Sequence, residues 1–577
     1  MTDLQKDKAV LVANIGTSDL EIYLKDEKQD YGYIPLWDRN QPNNAEDQHE
    51  LTEQEIKNWN QRASLIKDIL CRELDVSTRE GKGLPFEFVE LTQKIKEVYN
   101  QNKETWEKRI FASRLLGIVQ EVQNSFALEK ILIFVSKQNP IFESDTLHLF
   151  DILQKWFQDK YQIQLIPKYI DQDINLSRDQ DALFEYYYKV FKSFSLDYTI
   201  LLSLKGGTPA MQTALRTQSI TISVERPIIL VDTELYIKRV FSGQPSPAYF
   251  TSYCNYIKTQ KYESVRQLLA RWDFDGAMTI LEDWKKYINN LIRQNIVDQD
   301  IKNNKSFLES IIKVLDITVG YFNLDSSGQS RFKIKPQDDL GVLNNIKHDY
   351  DCILNLYTQC RIYWEINQVA NFLARMTSFC EEILHFLIKK LDGEKFFDKQ
   401  QYPDDWYLDK RKFTNNSSQL WQYFSQLERE TSRTFNNWNF DLKPKYKLSG
   451  RFSKWNFVSA LIRYRNYDEE KTSWGKITDS LNKLDYWIDQ RNKLIHSAEG
   501  VSKANMSKLL ENDREQQDEN ALNACKRDEI LSKMTTITIE MRKILKLPET
   551  NYIALDQSYY IYSDVKEWII NKLRNDS

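Results

Sequence analysis

Cysteine, histidine, glycine and proline are all scarce in this chain, and charge of one sign does not dominate it. Six cysteines are scattered over 577 residues with no CxxC pair. That excludes a disulfide scaffold and gives no zinc-ligand spacing. Cys71, Cys254, Cys352, Cys360, Cys380 and Cys525 read instead as small hydrophobes in a reducing compartment. Sixteen glycines and thirteen prolines leave no Gly/Pro-rich linker, and no internal repeat is evident. Lys and Arg number 79 against 83 Asp and Glu, a net charge of -4. No global basic field therefore draws nucleic acid, and a local patch or a groove formed on assembly must hold it. No apolar run approaches the length of a membrane span. The opening MTDLQKDKAVLVANIG has too short an apolar stretch for a signal peptide and leads into a turn, so a cytoplasmic location is expected.

What the chain has in abundance is aromatic and apolar residues, enough for several cores. Residues 1–245 alternate apolar runs with helical patterns. Strands are expected at Ala9 to Ile15, Ile131 to Ser136, Gln162 to Pro167, Tyr198 to Leu204 and Pro227 to Asp232. Helices are expected at Ser144 to Asp159, Ala182 to Phe194 and Pro209 to Ser223, with a helical insertion (52–74, 86–102 and 107–126) after the first strand. This alternation predicts a Rossmann-like domain with a parallel, doubly wound sheet. In such sheets ligands collect at the carboxyl ends of the strands. Three polar turns fall there: Gly16 to Asp19, Ser136 to Asn139 and Lys205 to Thr208.

The third turn is the most informative of these. Gly206-Gly207 allows a tight turn and close backbone approach. Thr208 is a helix N-cap candidate, and Pro209 suits the first helical position. A strand, a Gly-rich turn and a helix N-terminus together make an anion site, to which Lys205 adds charge. The pattern is neither a Walker A loop nor a GxGxxG fingerprint, so ATPase and dehydrogenase readings lose support.

Two prolines and a glycine at 243–250 suggest a domain junction. Beyond it apolar residues recur at helical spacing. Helices are expected at Tyr256 to Ala270, Phe274 to Ile292, Lys305 to Tyr321 and Val369 to Leu387. A later helix ends in Arg491-Asn492-Lys493-Leu494-Ile495-His496, with Gly500 as its stop. Asn492 and His496, four apart, share a face of that helix, and Arg491 is one position round. An imidazole moves protons near neutral pH, and a guanidinium holds a phosphate. These are the groups needed to break an RNA phosphodiester without a metal ion.

The two motifs, in this order, resemble one family. Asn14 to Asp19 and Gly206-Gly207-Thr208-Pro209-Ala210-Met211 look like a CARF domain, and Arg491, Asn492 and His496 in a helical C-terminal half look like a HEPN ribonuclease. Together they resemble the CARF–HEPN ribonucleases of type III CRISPR systems (the Csm/Csx accessory group, Csm-type branch). The resemblance implies a CARF sensor over 1–245, a helical connector over 246–360 and a HEPN domain over 361–577. It implies an endoribonuclease of single-stranded RNA, activated by cyclic tetra- or hexa-adenylate from the interference complex and acting as a homodimer. No cofactor or metal, no membrane and no stable DNA binding are expected. Catalysis falls to Arg491, Asn492 and His496. Ligand binding falls to Thr17, Ser18, Asp19, Gly206, Gly207, Thr208, Pro209, Ala210 and Met211, with Ser136, Lys137, Gln138 and Lys205 added from their places at strand ends. Two alternatives stay open: a non-catalytic sensor of the same messenger, and a HEPN toxin held by an antitoxin.

Overall fold

The computed structural model describes residues 6–27, 29–37, 51–79, 84–138, 141–170, 180–195, 197–223, 228–233, 236–294, 296, 299–324, 349–398, 406–413, 417–431, 444–448, 450–467, 472–496, 502–547 and 559–576. Within them the chain forms two compact units. One comprises Met1–Glu263 with Ile280–Glu309, and the other Ser264–Thr279 with Ser310–Ser577.

The first unit is built on a six-stranded sheet. Its strands are β1 (Lys8–Asn14), β5 (Ala127–Ser136), β6 (Leu165–Ile170), β7 (Thr199–Ser203), β8 (Ile228–Thr233) and β9 (Ala248–Thr251), in the spatial order β6-β5-β1-β7-β8-β9. β1 lies between β5 and β7 and pairs parallel with both; Asn14 is opposite Phe134, and Ala13 is opposite Ser203. Ala9 to Ala13 are fully buried, as a central strand covered on both faces requires. The order reverses at β1, which puts a crevice at the carboxyl ends of β1 and β7. The expected Rossmann-like α/β class is the class observed.

Several local expectations are corrected. The sheet is parallel except at its edge, where β9 runs antiparallel to β8. That edge strand occupies Ala248–Thr251. β6 starts three residues later than the apolar run suggests, because Gln162 caps the preceding helix Leu147–Tyr161 with a left-handed backbone (φ 56°). The insertion is not wholly helical. β2 (Glu21–Lys25), β3 (Asp30–Pro35) and β4 (Ile110–Phe111) form a second, antiparallel sheet in the order β3-β2-β4. The expected helix over 107–126 is consequently broken by β4 into Lys103–Arg109 and Ser113–Ser125. Strands of two to six residues carry too little periodicity to compete with the flanking helical pattern.

Among the described residues the second unit is helical apart from the short pair β10 (Tyr407–Asp409) and β11 (Lys445–Lys447). Its long helices include Asp349–Glu365, Val369–Lys390, Arg451–Tyr464, Ser473–His496 and Ile530–Ile544. The apolar stripe expected on the second of these is its core face: Val369, Phe372, Leu373, Met376, Cys380, Ile383, Leu384 and Leu387 are all at most 2% exposed. The half-buried His385 lies beside the stripe, stacked on Trp406 with ring centroids 4.2 Å apart, and its Nε2 is 2.8 Å from Lys454 Nζ.

Candidate functional site

The crevice brings together the first and third of the expected turns. A Cβ built on Gly16 would lie 3.1 Å from Gly207 N and 3.4 Å from Gly206 Cα, so the two turns touch backbone to backbone. Gly206 and Gly207 adopt φ of 95° and 74°, a region that favours glycine. Space demands it as well: a Cβ on Gly206 would sit 2.6 Å from Asn14 O. Thr208 Oγ1 accepts from Met211 N–H at 3.2 Å, capping the helix Pro209–Ser223 where the sequence predicts. Met211 is buried beneath the turn, its Sδ and Cε within 3.2 Å of where a Gly207 Cβ would be. Gly206, Gly207, Thr208 and Ala210 are half-buried, and Pro209 is exposed. A half-open turn at a helix N-terminus suits an anionic ligand.

The remaining candidates are arranged differently from one another. Thr17 and Ser18 are half-buried at the crevice; Thr17 Oγ1 donates to Trp37 O at 3.3 Å. Lys205 is exposed, and its ammonium donates to Thr233 O at the end of β8. Ser136 is buried, its hydroxyl 3.1 Å from that of Thr146. Gln138 uses its backbone and side-chain amides on Asp145, at 2.9 and 3.1 Å. Lys137 is exposed, with Nζ 5.5 Å from the centroid of the Tyr169 ring. Asn139 lies outside the described residues.

Asp19 is 1% exposed, and its partner is a residue the sequence did not single out. Its Oδ2 accepts from Gly16 N–H at 2.7 Å and from Arg114 Nη2 at 2.8 Å, while Oδ1 accepts from Arg114 Nε. Arg114 also donates from Nη2 to Asn14 O, and from Nη1 to Ser203 Oγ and Lys205 O, each at 3.0 Å. Ser203 Oγ in turn donates to Asp232 Oδ1 on β8 at 3.2 Å. Burial works against the guanidinium's charge, yet Asp19 holds its pKa above the ordinary value. Burial raises the Asp232 carboxyl, opposed by Arg114 and Lys205. Glu21, one strand position into β2, is 3% exposed and accepts from Ser113 N–H at 2.9 Å. Burial pushes its carboxyl up to about 8; the Ser113 N–H opposes this and the Asp19 carboxylate adds to it. Arg114 and Glu21 sit in the insertion, where no local motif marks them. Only the fold brings them to the crevice.

The second candidate site lies on the helix Ser473–His496, which carries the Arg491-Asn492-Lys493-Leu494-Ile495-His496 sequence in its last turns. Arg491 is half-buried, and its Nε is buried without a hydrogen-bond partner among the described residues. The side chains of Asn492 and His496 lie outside what the structure describes. The helix is held from two sides. Trp487 Nε1 donates to Cys525 O at 3.1 Å, and Tyr486 OH donates to Asp513 Oδ2 at 2.9 Å. Arg451, 11% exposed, pairs with Asp485 and, at 2.8 Å, with Asp489. Arg451 thus ties the helix Arg451–Tyr464 to the stretch Asp485–Asp489, just before the motif. Among the described residues no group of three or more His, Cys, Asp or Glu is placed to hold a metal ion. No described helix is long and apolar enough to cross a membrane.

Sheet order and crevice define the class: a Rossmann-like α/β unit with a cluster of strand-end turns at its switch point, with a helical unit in the same chain. No family model matches the sequence, and no curated protein does. Among solved structures the chain is similar to Enterococcus italicus Csm6 bound to cyclic hexa-2'-fluoro-hexa-dAMP. The TM-score is 0.48 and the identity 14%, over 79% of this chain and 95% of that one.

Proposed function

We propose that this chain is a cyclic oligoadenylate-activated, metal-independent endoribonuclease of single-stranded RNA, working in the cytoplasm in type III CRISPR antiviral defence. Residues 1–245 sense the messenger, 361–577 cleave RNA, and 246–360 connect them. The observation that carries the reading is the Gly206–Gly207 turn, seated on the end of β1 and opening a helix N-terminus, in one chain with the Arg491–His496 motif. The turn offers backbone N–H groups and a favourable helix dipole to the messenger's phosphates. Thr17, Ser18 and Lys205 border the same crevice, while Ser136, Lys137 and Gln138 stand at the neighbouring strand end.

For cleavage the RNA supplies its own nucleophile. The 2′-hydroxyl oxygen attacks the adjacent phosphorus, and the 5′-oxygen of the next nucleotide leaves. One proton comes off the 2′-hydroxyl and one goes to the leaving oxygen, producing a 2′,3′-cyclic phosphate and a 5′-hydroxyl. His496 transfers a proton, Arg491 holds the phosphate and offsets its growing charge, and Asn492 orients the imidazole or the phosphate. DNA lacks the 2′-hydroxyl and is not a substrate. One motif per chain supplies few groups, so the reading requires a homodimer with both motifs at its two-fold axis. The messenger activates by binding the active arrangement better than the resting one.

The test is cleavage of a fluorescent single-stranded RNA in EDTA, with and without cyclic tetra- or hexa-adenylate. Cleavage that needs one messenger is expected. Tight messenger binding without cleavage would replace this reading by that of a non-catalytic sensor.

A further inference from the structure

The crevice turns are set by a half-buried residue, its side chain 14% exposed, whose N–H donors are all committed within the protein. A guanidinium has five N–H donors in a fixed fork. In Arg114 all five are used: Nε and one Nη2 proton on Asp19, the other Nη2 proton on Asn14 O, and the two Nη1 protons on Ser203 Oγ and Lys205 O. Its acceptors come from the end of β1, the turn after β1, the end of β7 and the turn after β7. Asp19 is equally committed, to Arg114 and to Gly16 N–H, and its side chain is wholly buried. The Gly-rich turn rests directly on this pair, since a Cβ on Gly206 would approach Arg114 Nη2 to 3.0 Å. Burial raises the Glu21 carboxyl to about 8, which disfavours a second negative charge beside Asp19.

We infer that Arg114 and Asp19 form one positioning unit. They clamp the two strand-end turns at the spacing the messenger needs and do not touch the messenger. Asp19 is thereby moved from the ligand contacts, where the sequence resemblance puts it, to the support beneath them. The inference rests on the messenger-sensing reading for its affinity consequence, but not for its structural one. Lysine cannot replace arginine here: an ammonium keeps the charge but cannot reach four separate sites with a planar fork.

The test uses the full-length chain with Arg114→Lys, Asp19→Asn and the double variant, each checked by thermal melting. Three quantities are read: the dissociation constant for cyclic tetra- and hexa-adenylate, the cleavage rate at saturating messenger, and amide exchange at Gly16, Gly206 and Gly207. Each single variant is expected to bind at least about tenfold more weakly, a loss of about 1.4 kcal/mol. The double variant should lose no more than the worse single, because one clamp is broken either way. The saturated cleavage rate should stay within about twofold of wild type, since the clamp is not part of the cleavage chemistry. Additive losses would show that Asp19 meets the ligand separately and would overturn the inference. If the wild type binds neither messenger, the sensing reading fails by itself, and the clamp is judged by exchange alone. Faster exchange at the three glycines in Arg114→Lys upholds it, and unchanged exchange overturns it.

Discussion

At the scale of single residues, the proposed function rests on a few side chains. His496→Ala should abolish RNA cleavage while the messenger's dissociation constant stays within about twofold of wild type. Product gels and equilibrium binding on the same preparation check both halves; cleavage at the wild-type rate would remove His496 from the mechanism. Glu21 makes a separate prediction. Its folded pKa, raised to about 8 from 4.5, means the folded chain holds a proton that the unfolded chain has released. The resulting stabilisation is fully present below about pH 4.5 and is lost as pH rises through about 8, at about 1.4 kcal/mol per pH unit across that window. Glu21→Gln keeps the acceptor for Ser113 N–H and removes the titration. The variant should therefore gain stability over wild type between pH 5 and 8. Denaturant unfolding of both proteins at pH 5, 6.5 and 8 checks this, and parallel pH profiles would contradict it.

At the scale of elements, short segments decide the site. The Gly-rich turn lets β7 pass into the helix Pro209–Ser223 without lifting off the end of β1. Gly206→Ala places a Cβ against Asn14 O and forces a left-handed backbone on a residue that resists it, at a cost of roughly 1–2 kcal/mol from the backbone alone. The expected outcome is a lower melting temperature and messenger binding weakened by at least about tenfold. Calorimetry for the first and titration for the second separate strain from recognition. On the other unit, Arg451 ties the helix that bears the motif to Arg451–Tyr464 through Asp485 and Asp489. The sequence shows that a helix carries the motif; its expected stop, Gly500, lies outside the described residues. It does not show that Arg451, 40 residues upstream of Arg491, pairs with Asp485 and Asp489 on this helix.

At the scale of the whole molecule, the prediction concerns assembly. If the two motifs of a homodimer complete one cleavage site, then His496→Ala chains mixed in equal amount with wild type and allowed to exchange should leave about one quarter of the cleavage rate, because only wild-type pairs are competent. A residual of one half would mean that each chain cleaves alone. Sedimentation at the concentration of the assay shows whether exchange is complete and whether the dimer persists on dilution.

The sequence alone determined the fold class of both units, most strand and helix positions, the Gly-rich turn with its cap, and the apolar stripe of Val369–Lys390. These follow from local steric rules and from periodicity, which a single chain carries in its own order. It did not determine the second sheet, since β4 pairs with a strand more than 80 residues earlier. Nor did it mark Arg114 or Glu21, which are ordinary charged residues until the insertion folds back. Arg114 meets Asp19 across 95 residues and Lys205 across 91. Their roles depend on burial and on partners distant in sequence, and only tertiary structure supplies both.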